Sequence, residues 1–183
     1  RGLVGGKASI GIIPVGSGNG LARHLGISLN VTSALQQLLS EKEIKMDVGF
    51  LNDQPFLVTA GIGFDAEVAY NFAKRKTRGL LGYVKETIKL YPGYTANMYK
   101  ITSPEIETTV KAFSITIANS SQYGNDAVIA HEARVDDGLL DLCVIKSYPK
   151  VFGPQIGLNL FIKNLHNSKF YETIKTKSIT IES

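Results

Sequence analysis

The segment Gly16–Gly20 contains the residue types that most directly suggest chemistry. It follows an apolar run, Ala8–Val15, and precedes a helical pattern that begins at Leu21. Glycines on both sides of Ser17 leave backbone N–H groups free, so that these groups, the hydroxyl and the helix dipole can converge on a phosphate. This arrangement predicts phosphate binding, with an ordinary tight turn as the alternative. The segment lacks the lysine of a P-loop and the third glycine of a dinucleotide-binding fingerprint.

A second candidate site is the acidic turn made by Asp136, Asp137 and Gly138, directly before the apolar run Leu139–Ile145. Two aspartates before a glycine are typical of a turn that begins a strand. The same residues could offer one carboxylate and several carbonyls to a hard cation such as Mg²⁺ or Ca²⁺. From the residues alone the turn is the favoured interpretation, and the cation site is the alternative.

Two further features could contact a ligand. Asp65 follows an apolar strand pattern, and it is either a helix N-cap or a carboxylate presented to a ligand hydroxyl; the local sequence leaves both open. The segment Lys74–Arg78 places four cations in five residues. A solvated loop is the default interpretation of this run, and contact with an anionic membrane surface or a phosphorylated headgroup is the alternative.

The elements that must position these residues change character along the chain. The strand Ala8–Val15, the glycine turn and the helix after it are typical of a parallel α/β unit, and Thr32 has N-cap chemistry for a second helix. From Ile44 the patterns are mostly those of strands. We therefore assign residues 1–43 to the tail of an α/β domain and 44–183 to a β-rich domain.

In the β-rich part, Asn52-Asp53 is a candidate hairpin turn, and Gly61–Asp65 is expected to interrupt the second strand and lead into a helix. The predicted strands are Ile44–Leu51, Phe56–Thr59, Ala96–Ile101, Thr108–Ala118, Ala127–Ile129, Leu139–Ile145 and Ser178–Glu182. The predicted helices are Ala66–Ala73, Leu80–Tyr91 and Val151–Leu165. This succession predicts a mixed α+β fold with a mostly antiparallel β-sandwich and inserted helices.

Composition excludes several classes of protein. The 183 residues carry 20 Lys+Arg against 16 Asp+Glu, a net charge of +4 that is too small for a dedicated nucleic-acid surface. The single cysteine, Cys143, rules out a disulfide framework within the chain and is predicted to be a core residue. No apolar run is long enough to predict a membrane span. Because the sequence begins at Arg1 without an initiator methionine, we expect a piece of a longer protein.

Three motifs, in order, carry a resemblance to a known family. They are Gly11–Ile27, with the sequence G-I-I-P-V-G-S-G-N-G-L-A-R-H-L-G-I, then Thr59–Val68 and Val135–Leu142. Together they resemble the diacylglycerol kinase and sphingosine kinase superfamily, including its bacterial lipid kinases, over nearly the whole chain. The resemblance implies an α/β nucleotide-binding domain, a β-sandwich that holds lipid, and ATP and Mg²⁺ in the cleft between them.

The resemblance also implies roles for particular residues. The hydroxyl of Ser17 would face the nucleotide, in a loop shaped by Gly16, Gly18 and Asn19. Asp65 would lie near the lipid headgroup. Asp137 would help to hold a structural Mg²⁺ together with the backbone carbonyls of Arg134 and Leu139. Gly20 stands where bacterial members commonly have Asp, so that the choice between a diacylglycerol-like lipid and a sphingoid base stays open.

Two motifs of the family are missing from the chain, the G-G-D-G-T loop and the D-G-E motif with the proposed general base. The resemblance implies that this base lies beyond Ser183, the last residue of the sequence. No catalytic residue is therefore assigned within the chain, and we expect the chain to be inactive alone.

The parent protein is expected to transfer the γ-phosphoryl of ATP to a lipid hydroxyl, with a non-catalytic lipid-binding or regulatory module as the alternative. We expect a cytoplasmic location, peripheral contact with the inner membrane face and no nucleic-acid partner; a homodimer stays open.

Overall fold

The computed structural model describes residues 4–6, 8–40, 43–75 and 79–183. Every strand pair among them is antiparallel, and helices lie between and beside the strands. The predicted mixed α+β class with a mostly antiparallel sheet is confirmed.

The helices and strands are numbered along the chain. The α-helices are α1 (Gly20–His24), α2 (Val31–Ser40), α3 (Phe64–Ala73), α4 (Leu80–Leu90) and α5 (Gly153–Phe161). The strands are β1 (Gly49–Leu51), β2 (Gln54–Phe56), β3 (Thr59–Gly63), β4 (Asn97–Thr102), β5 (Glu107–Ala118), β6 (Gln122–Gly124), β7 (Ala127–Val128), β8 (Leu140–Lys146), β9 (Tyr171–Thr176) and β10 (Thr180–Glu182). Short 3₁₀ turns occupy Tyr91–Gly93, Lys150–Phe152 and Leu165–Asn167.

The main sheet is organised around β5, which has twelve residues. One edge of β5 pairs first with β4 and then with β3, and the other edge pairs with β8. The strand order is β10-β4-β5-β8-β9, with β3 joined to β5 beside this path. Two small hairpins, β1-β2 and β6-β7, complete the strands of the described residues.

The apolar core lies on both faces of this sheet because side chains alternate along each strand. On one face Ile115 lies across from Val144, and on the other Thr116 lies across from Cys143. Cys143 is buried in the core, as predicted, and burial raises the pKa of its thiol to about 12. Its face also carries most of the large aromatic side chains of the core: Phe113, Tyr123, Tyr148, Phe170 and Tyr171.

The predicted N-terminal strand is wrong for this structure. Residues Ala8–Val15 have no strand structure, and the side chains of Ile10 and Val15 are exposed. A buried parallel strand needs hydrogen-bonded neighbours, and no strand among the described residues pairs with this segment. The apolar run therefore has the composition of a buried strand without its hydrogen-bond partners.

The start of α2 also differs from the prediction, which placed the N-cap at Thr32. The Oδ1 atom of Asn30 accepts a hydrogen bond from the backbone N–H of Ser33 at 3.1 Å. Asn30 therefore caps α2, and Thr32 lies within the first turn. The predicted turn at Asn52-Asp53 is confirmed, since both residues have positive φ between β1 and β2.

The glycines at 61 and 63 continue a strand rather than interrupting one. Both belong to β3, which pairs with the second half of β5. A Cβ atom at Gly61 would lie 2.7 Å from the carbonyl oxygen of Ile115, and Gly63 has φ +99°. The glycines let β3 approach β5 and then turn directly into α3. Two other strands, β6 and β9, were not predicted.

We expect Gly63→Ala to destabilise the chain by about 2–4 kcal/mol, since the residue has a backbone conformation open essentially to glycine alone. Its Cβ would also lie 2.7 Å from the carbonyl oxygen of Phe113. Gly157→Ala is the matched control, because a Cβ there meets nothing within 4 Å and alanine favours a helix by about 1 kcal/mol. Urea denaturation of both variants checks this; equal effects would contradict it.

Candidate functional site

The loop Gly16–Gly20 is closed by the side chain of Asn19. Its Oδ1 accepts a hydrogen bond from the N–H of Gly16 at 3.0 Å, and its Nδ2 donates to the Gly16 carbonyl at 2.9 Å. Asn19 has φ +49° and makes no side-chain cap to α1. Both polar groups of Asn19 therefore hold the loop in its observed shape.

Ser17 is the loop residue whose side chain is available to a ligand. It is exposed, and within the described part of the chain its hydroxyl has no hydrogen-bond partner. The helix that follows, α1, has only five residues, so its dipole adds little. A phosphate at this loop would be bound mainly by the Ser17 hydroxyl and by loop N–H groups.

The segment Ser121–Asp126, which contains β6, supports the loop from behind. The backbones of Gly18 and Gly124 approach so closely that a Cβ on Gly124 would lie 3.0 Å from the Gly18 Cα. The N–H of Asn125 donates to the Gly18 carbonyl at 2.9 Å. A Cβ on Gly20 would lie 3.1 Å from the Gln122 carbonyl oxygen, so that glycine at 20 suits this contact.

Helix α1 is tied to the same segment by side chains. The backbone N–H of Ser121 donates to Nδ1 of His24 at 3.1 Å, and the Ser121 hydroxyl lies 2.8 Å from the same nitrogen. Burial lowers the pKa of His24, which agrees with a neutral ring that accepts at Nδ1. Arg23 pairs with Asp126. The nucleotide-loop candidate and the β6 segment therefore form one packed unit.

Asp65 lies in the first turn of α3, where Gly63 and not Asp65 occupies the N-cap position. Its Oδ2 accepts hydrogen bonds from the hydroxyls of Thr116 at 2.9 Å and Tyr123 at 3.0 Å. Its Oδ1 is buried and has no hydrogen-bond partner among the described residues. Of the two alternatives for Asp65, the N-cap is excluded, and a carboxylate presented to a ligand hydroxyl stays a prediction.

Burial raises the pKa of Asp65, and hydrogen bonds from Thr116 and Tyr123, together with the backbone N–H groups of Ala66 and of Asp65 itself, oppose that rise. Burial, with a smaller contribution from the Asp65 charge, raises the pKa of Tyr83 to about 12. The neighbouring residue Phe64 packs edge-on against Tyr94 with ring centroids 5.1 Å apart. Asp65 is thus a polar group at the border of an aromatic cluster.

The two candidate sites meet on consecutive residues of one strand. Tyr123 donates to Asp65, and Gly124 supports Gly18. Neither Tyr123, Thr116 nor the rest of the β6 segment was singled out from the sequence. Their role depends on contacts between residues 51 to 107 positions apart, which no local pattern reveals.

The acidic turn carries its own counter-charges. Asp137 Oδ1 accepts the N–H of Leu139 at 3.1 Å, and Asp137 Oδ2 accepts a hydrogen bond from the Lys175 ammonium at 3.0 Å. The guanidinium of Arg134 binds Asp136, with Nε to Oδ1 at 3.1 Å. Both oxygens of the predicted metal-binding carboxylate therefore already have donors.

The residues of this turn do not fit a bound Mg²⁺ while the Lys175 ammonium lies on Asp137, because a divalent cation there would be repelled by that charge. Among the described residues no cluster of three or more His, Cys, Asp or Glu side chains could hold a metal ion. The Mg²⁺ site at Asp137, Arg134 and Leu139 stays a prediction from the resemblance.

The basic run is only partly described, since residues 76–78 lie outside the described ranges. Lys74 lies over the Tyr70 ring, 3.8 Å from its centroid, and Arg75 binds Glu86 at 2.6 Å. No helix in the described ranges is long and apolar enough to cross a membrane.

Two open cavities, of about 470 and 370 Å³, lie away from Asp65 and from the loop Gly16–Gly20, and the smaller one is lined in part by Asp47, Gly138 and Leu139 at the acidic turn. The larger is lined by Ile101, Leu142 and Val144, on the sheet face opposite to Cys143. Neither is lined by Asp65 or by the loop, so hydrogen bonding and burial, rather than cavity size, define the candidate site.

Comparison with known proteins agrees with the motifs. The model of the YegS C-terminal NAD kinase beta sandwich-like domain matches residues 57–153, and that of the diacylglycerol kinase catalytic domain matches residues 1–51. The chain belongs to the diacylglycerol kinase and lipid kinase superfamily.

The chain aligns with only part of the length of each relative. A "Probable lipid kinase YegS-like" protein of Pseudomonas aeruginosa (strain UCBPP-PA14) is 31% identical over 150 residues, which are 81% of this chain and 49% of that protein. The corresponding protein of Pseudomonas putida is 30% identical over 154 residues, 83% of this chain and 52% of that one. The chain therefore spans about half the length of these relatives.

A solved structure shows the same fold. The crystal structure of a diacylglycerol kinase from Bacillus anthracis str. Sterne is 27% identical in sequence and superimposes with a TM-score of 0.67, covering 93% of this chain and 54% of that one. The chain therefore matches about half of this solved protein, as it does for the sequence relatives.

The raised pKa of Asp65 predicts a pH-dependent effect of Asp65→Asn. A carboxyl whose pKa is higher in the folded chain than its ordinary value of 3.8 contributes stability below that value and loses it as pH rises through the folded pKa. Asparagine does not ionise, so the variant does not lose stability in this way as the pH rises. Its free energy of unfolding minus that of the wild type should therefore grow as pH rises from 3.8 and then level off, as urea denaturation across pH would show. A difference that stays flat with pH would contradict the burial of an ionisable Asp65.

Proposed function

We propose that the protein to which this chain belongs is an ATP-dependent lipid kinase that transfers the γ-phosphoryl of ATP to a hydroxyl of a diacylglycerol-like lipid or a sphingoid base. The observation that carries the proposal is the junction at Tyr123 and Gly124. There a phosphate-loop candidate and a buried carboxylate with a free oxygen rest on adjacent residues of one strand. Membership of the lipid kinase superfamily supports it.

Different residues of the chain would bind the two substrates. The Ser17 hydroxyl and the N–H groups of the loop Gly16–Gly20 would bind the phosphates of ATP, presented with Mg²⁺ as its substrate complex. The free oxygen of Asp65 would accept a hydrogen bond from the lipid headgroup. Phosphoryl transfer depends mainly on alignment and charge stabilisation, and a shared support is suited to alignment.

The general base is not assigned to any residue of this chain. The strand β10 ends at Glu182 and is followed by Ser183. We propose that the base lies beyond Ser183 in the longer protein, where the family resemblance implies the acidic D-G-E motif. The residues up to Ser183 would then bind and align the two substrates without removing the proton from the lipid hydroxyl.

We also propose the domain division at residue 44 as the boundary between the nucleotide and lipid parts. Residues 1–43 would complete a nucleotide domain, and 44–183 would form most of the lipid domain. The chain spans about half of its relatives, and the family motifs that hold the remaining catalytic groups are absent from it. The chain by itself would therefore be inactive, and activity would belong to the whole protein.

Helix α4 offers a surface for the membrane that contains the lipid. Leu81 and Ile88 lie seven residues apart on one helix face and are 79% and 66% exposed. Lys85 lies on the same face and Lys89 beside it, both exposed. Apolar side chains flanked by lysines match an anionic bilayer surface. We propose that α4 rests on the inner membrane face with Asp65, at the start of the preceding helix, toward the headgroups.

Lipid phosphorylation by the full-length gene product tests the proposal, with radiolabelled ATP and mixed micelles of diacylglycerol or a sphingoid base. Asp65→Asn should raise the KM for lipid about 10- to 100-fold with little change in the KM for ATP, since a hydrogen bond to a charged group is lost. Ser17→Ala should raise the KM for ATP about 10-fold and spare the lipid KM. Asp53→Asn, at an exposed hairpin turn, is the control.

Lipid binding without any turnover by the full-length protein would overturn the kinase proposal and support the lipid-binding module instead. If turnover is present but both variants change the two KM values equally, the assignment of Ser17 to nucleotide and Asp65 to lipid is wrong.

The membrane surface is tested by co-sedimentation of the chain with anionic vesicles. Replacing Leu81 and Ile88 together by serine should lower the partition coefficient about 10-fold or more, since each apolar side chain contributes about 1–3 kcal/mol when it leaves water. Leu158→Ser, in α5 and 58% exposed, is the matched control and should leave partition unchanged. Equal losses for both variants would contradict docking through α4.

A further inference from the structure

Lys175 reaches the acidic turn from β9, a strand that the sequence patterns did not predict. Its Cα is the direct cross-strand partner of the Asp141 Cα in β8. Cross-strand partners on one face of an antiparallel pair have side chains close enough to interact. A shift of the register by one residue would send Lys175 to the other face of the sheet. The β8–β9 pairing therefore sets the position of the ammonium.

The ammonium lies among three oxygen atoms from three different residues. Lys175 Nζ is 3.0 Å from Asp137 Oδ2, 3.3 Å from Asp141 Oδ2 and 3.3 Å from the carbonyl oxygen of Glu132. An ammonium has three N–H donors, so each donor has an acceptor. A carbonyl and two carboxylates around one positive centre are also the kind of oxygen set that surrounds a bound hard cation.

Two acidic side chains of this set need a counter-charge. Asp141 is only 4% exposed and Asp137 is 20% exposed. Burial raises the pKa of Asp141, the Asp137 charge adds to the rise, and the Lys175 charge opposes it. Without a cation, a buried carboxylate would face a second one across the turn, which is an unfavourable arrangement because like charges repel in a setting with little water.

We propose that the ammonium of Lys175 is the resident cation of the Asp137 turn and takes the place of the divalent metal that the family resemblance implies there. The turn then keeps its shape through a cation that is covalently part of β9. Its stability does not depend on Mg²⁺, whatever the protein requires of Mg²⁺ as a partner of ATP. This inference is independent of the proposed kinase activity.

Thermal unfolding of the chain tests the inference, with Lys175→Met as the variant that keeps side-chain length and removes the charge. Lys146→Met is the matched control, because Lys146 also joins β8 to β9, through a more exposed ion pair with Glu172. We expect Lys175→Met to lower Tm by about 5 °C or more, as for the loss of a partly buried pair. Lys146→Met should lower Tm by less than about 2 °C, as for a surface pair. The wild type should have the same Tm in millimolar MgCl₂ and in EDTA at matched ionic strength.

A rise in the wild-type Tm with Mg²⁺, or equal Tm losses for the two methionine variants, would overturn the inference. If Lys175→Met does not fold, calorimetric titration of the wild-type chain with MgCl₂ decides the matter. Absence of saturable binding supports the lysine as the cation, and saturable millimolar binding that Asp137→Asn abolishes overturns it.

Discussion

The close approach of the Gly18 and Gly124 backbones is the contact on which the candidate site depends. A Cβ at position 124 would lie 3.0–3.1 Å from three atoms of Gly18, and Gly124 has φ +127°, so glycine at 124 lets the loop rest on β6. Once they touch, Asn125 can donate to Gly18 and α1 lies against the same segment. Because side chains alternate along a strand, the backbone of Gly124 can support the loop while the ring of Tyr123 points into the core toward Asp65.

The second constraint is the cost of burying Asp65. An ionised carboxylate in an apolar setting is unfavourable unless donors surround it, and Thr116 and Tyr123 supply two donors to one of its oxygens. The other oxygen has none among the described residues. Stability alone does not explain a buried oxygen without a donor, and the proposal that a lipid headgroup supplies this donor rests on that observation. Together, the shared strand and this oxygen connect the fold to the proposed chemistry.

Local patterns predicted most elements of the β-rich part, because β4, β5, β8 and helix α3 have clear apolar periodicity between turn residues. Patterns failed where the decisive partner is distant. Ala8–Val15 has strand composition but no paired neighbour, and Gly61 and Gly63 look like a break although they pack against β5. For the candidate site, residue types pointed to the loop and Asp65 as predictions, whereas Tyr123, Thr116 and Lys175 act through contacts that only the folded chain brings together.

Hydrogen exchange of backbone amides in the full-length gene product, with and without a non-hydrolysable ATP analogue, tests the central claim most directly. If the loop Gly16–Gly20 binds phosphate and rests on the β6 segment, the analogue should slow exchange in both the loop and Ser121–Asp126. Bound analogue that slows exchange elsewhere and leaves both segments unchanged would contradict the account.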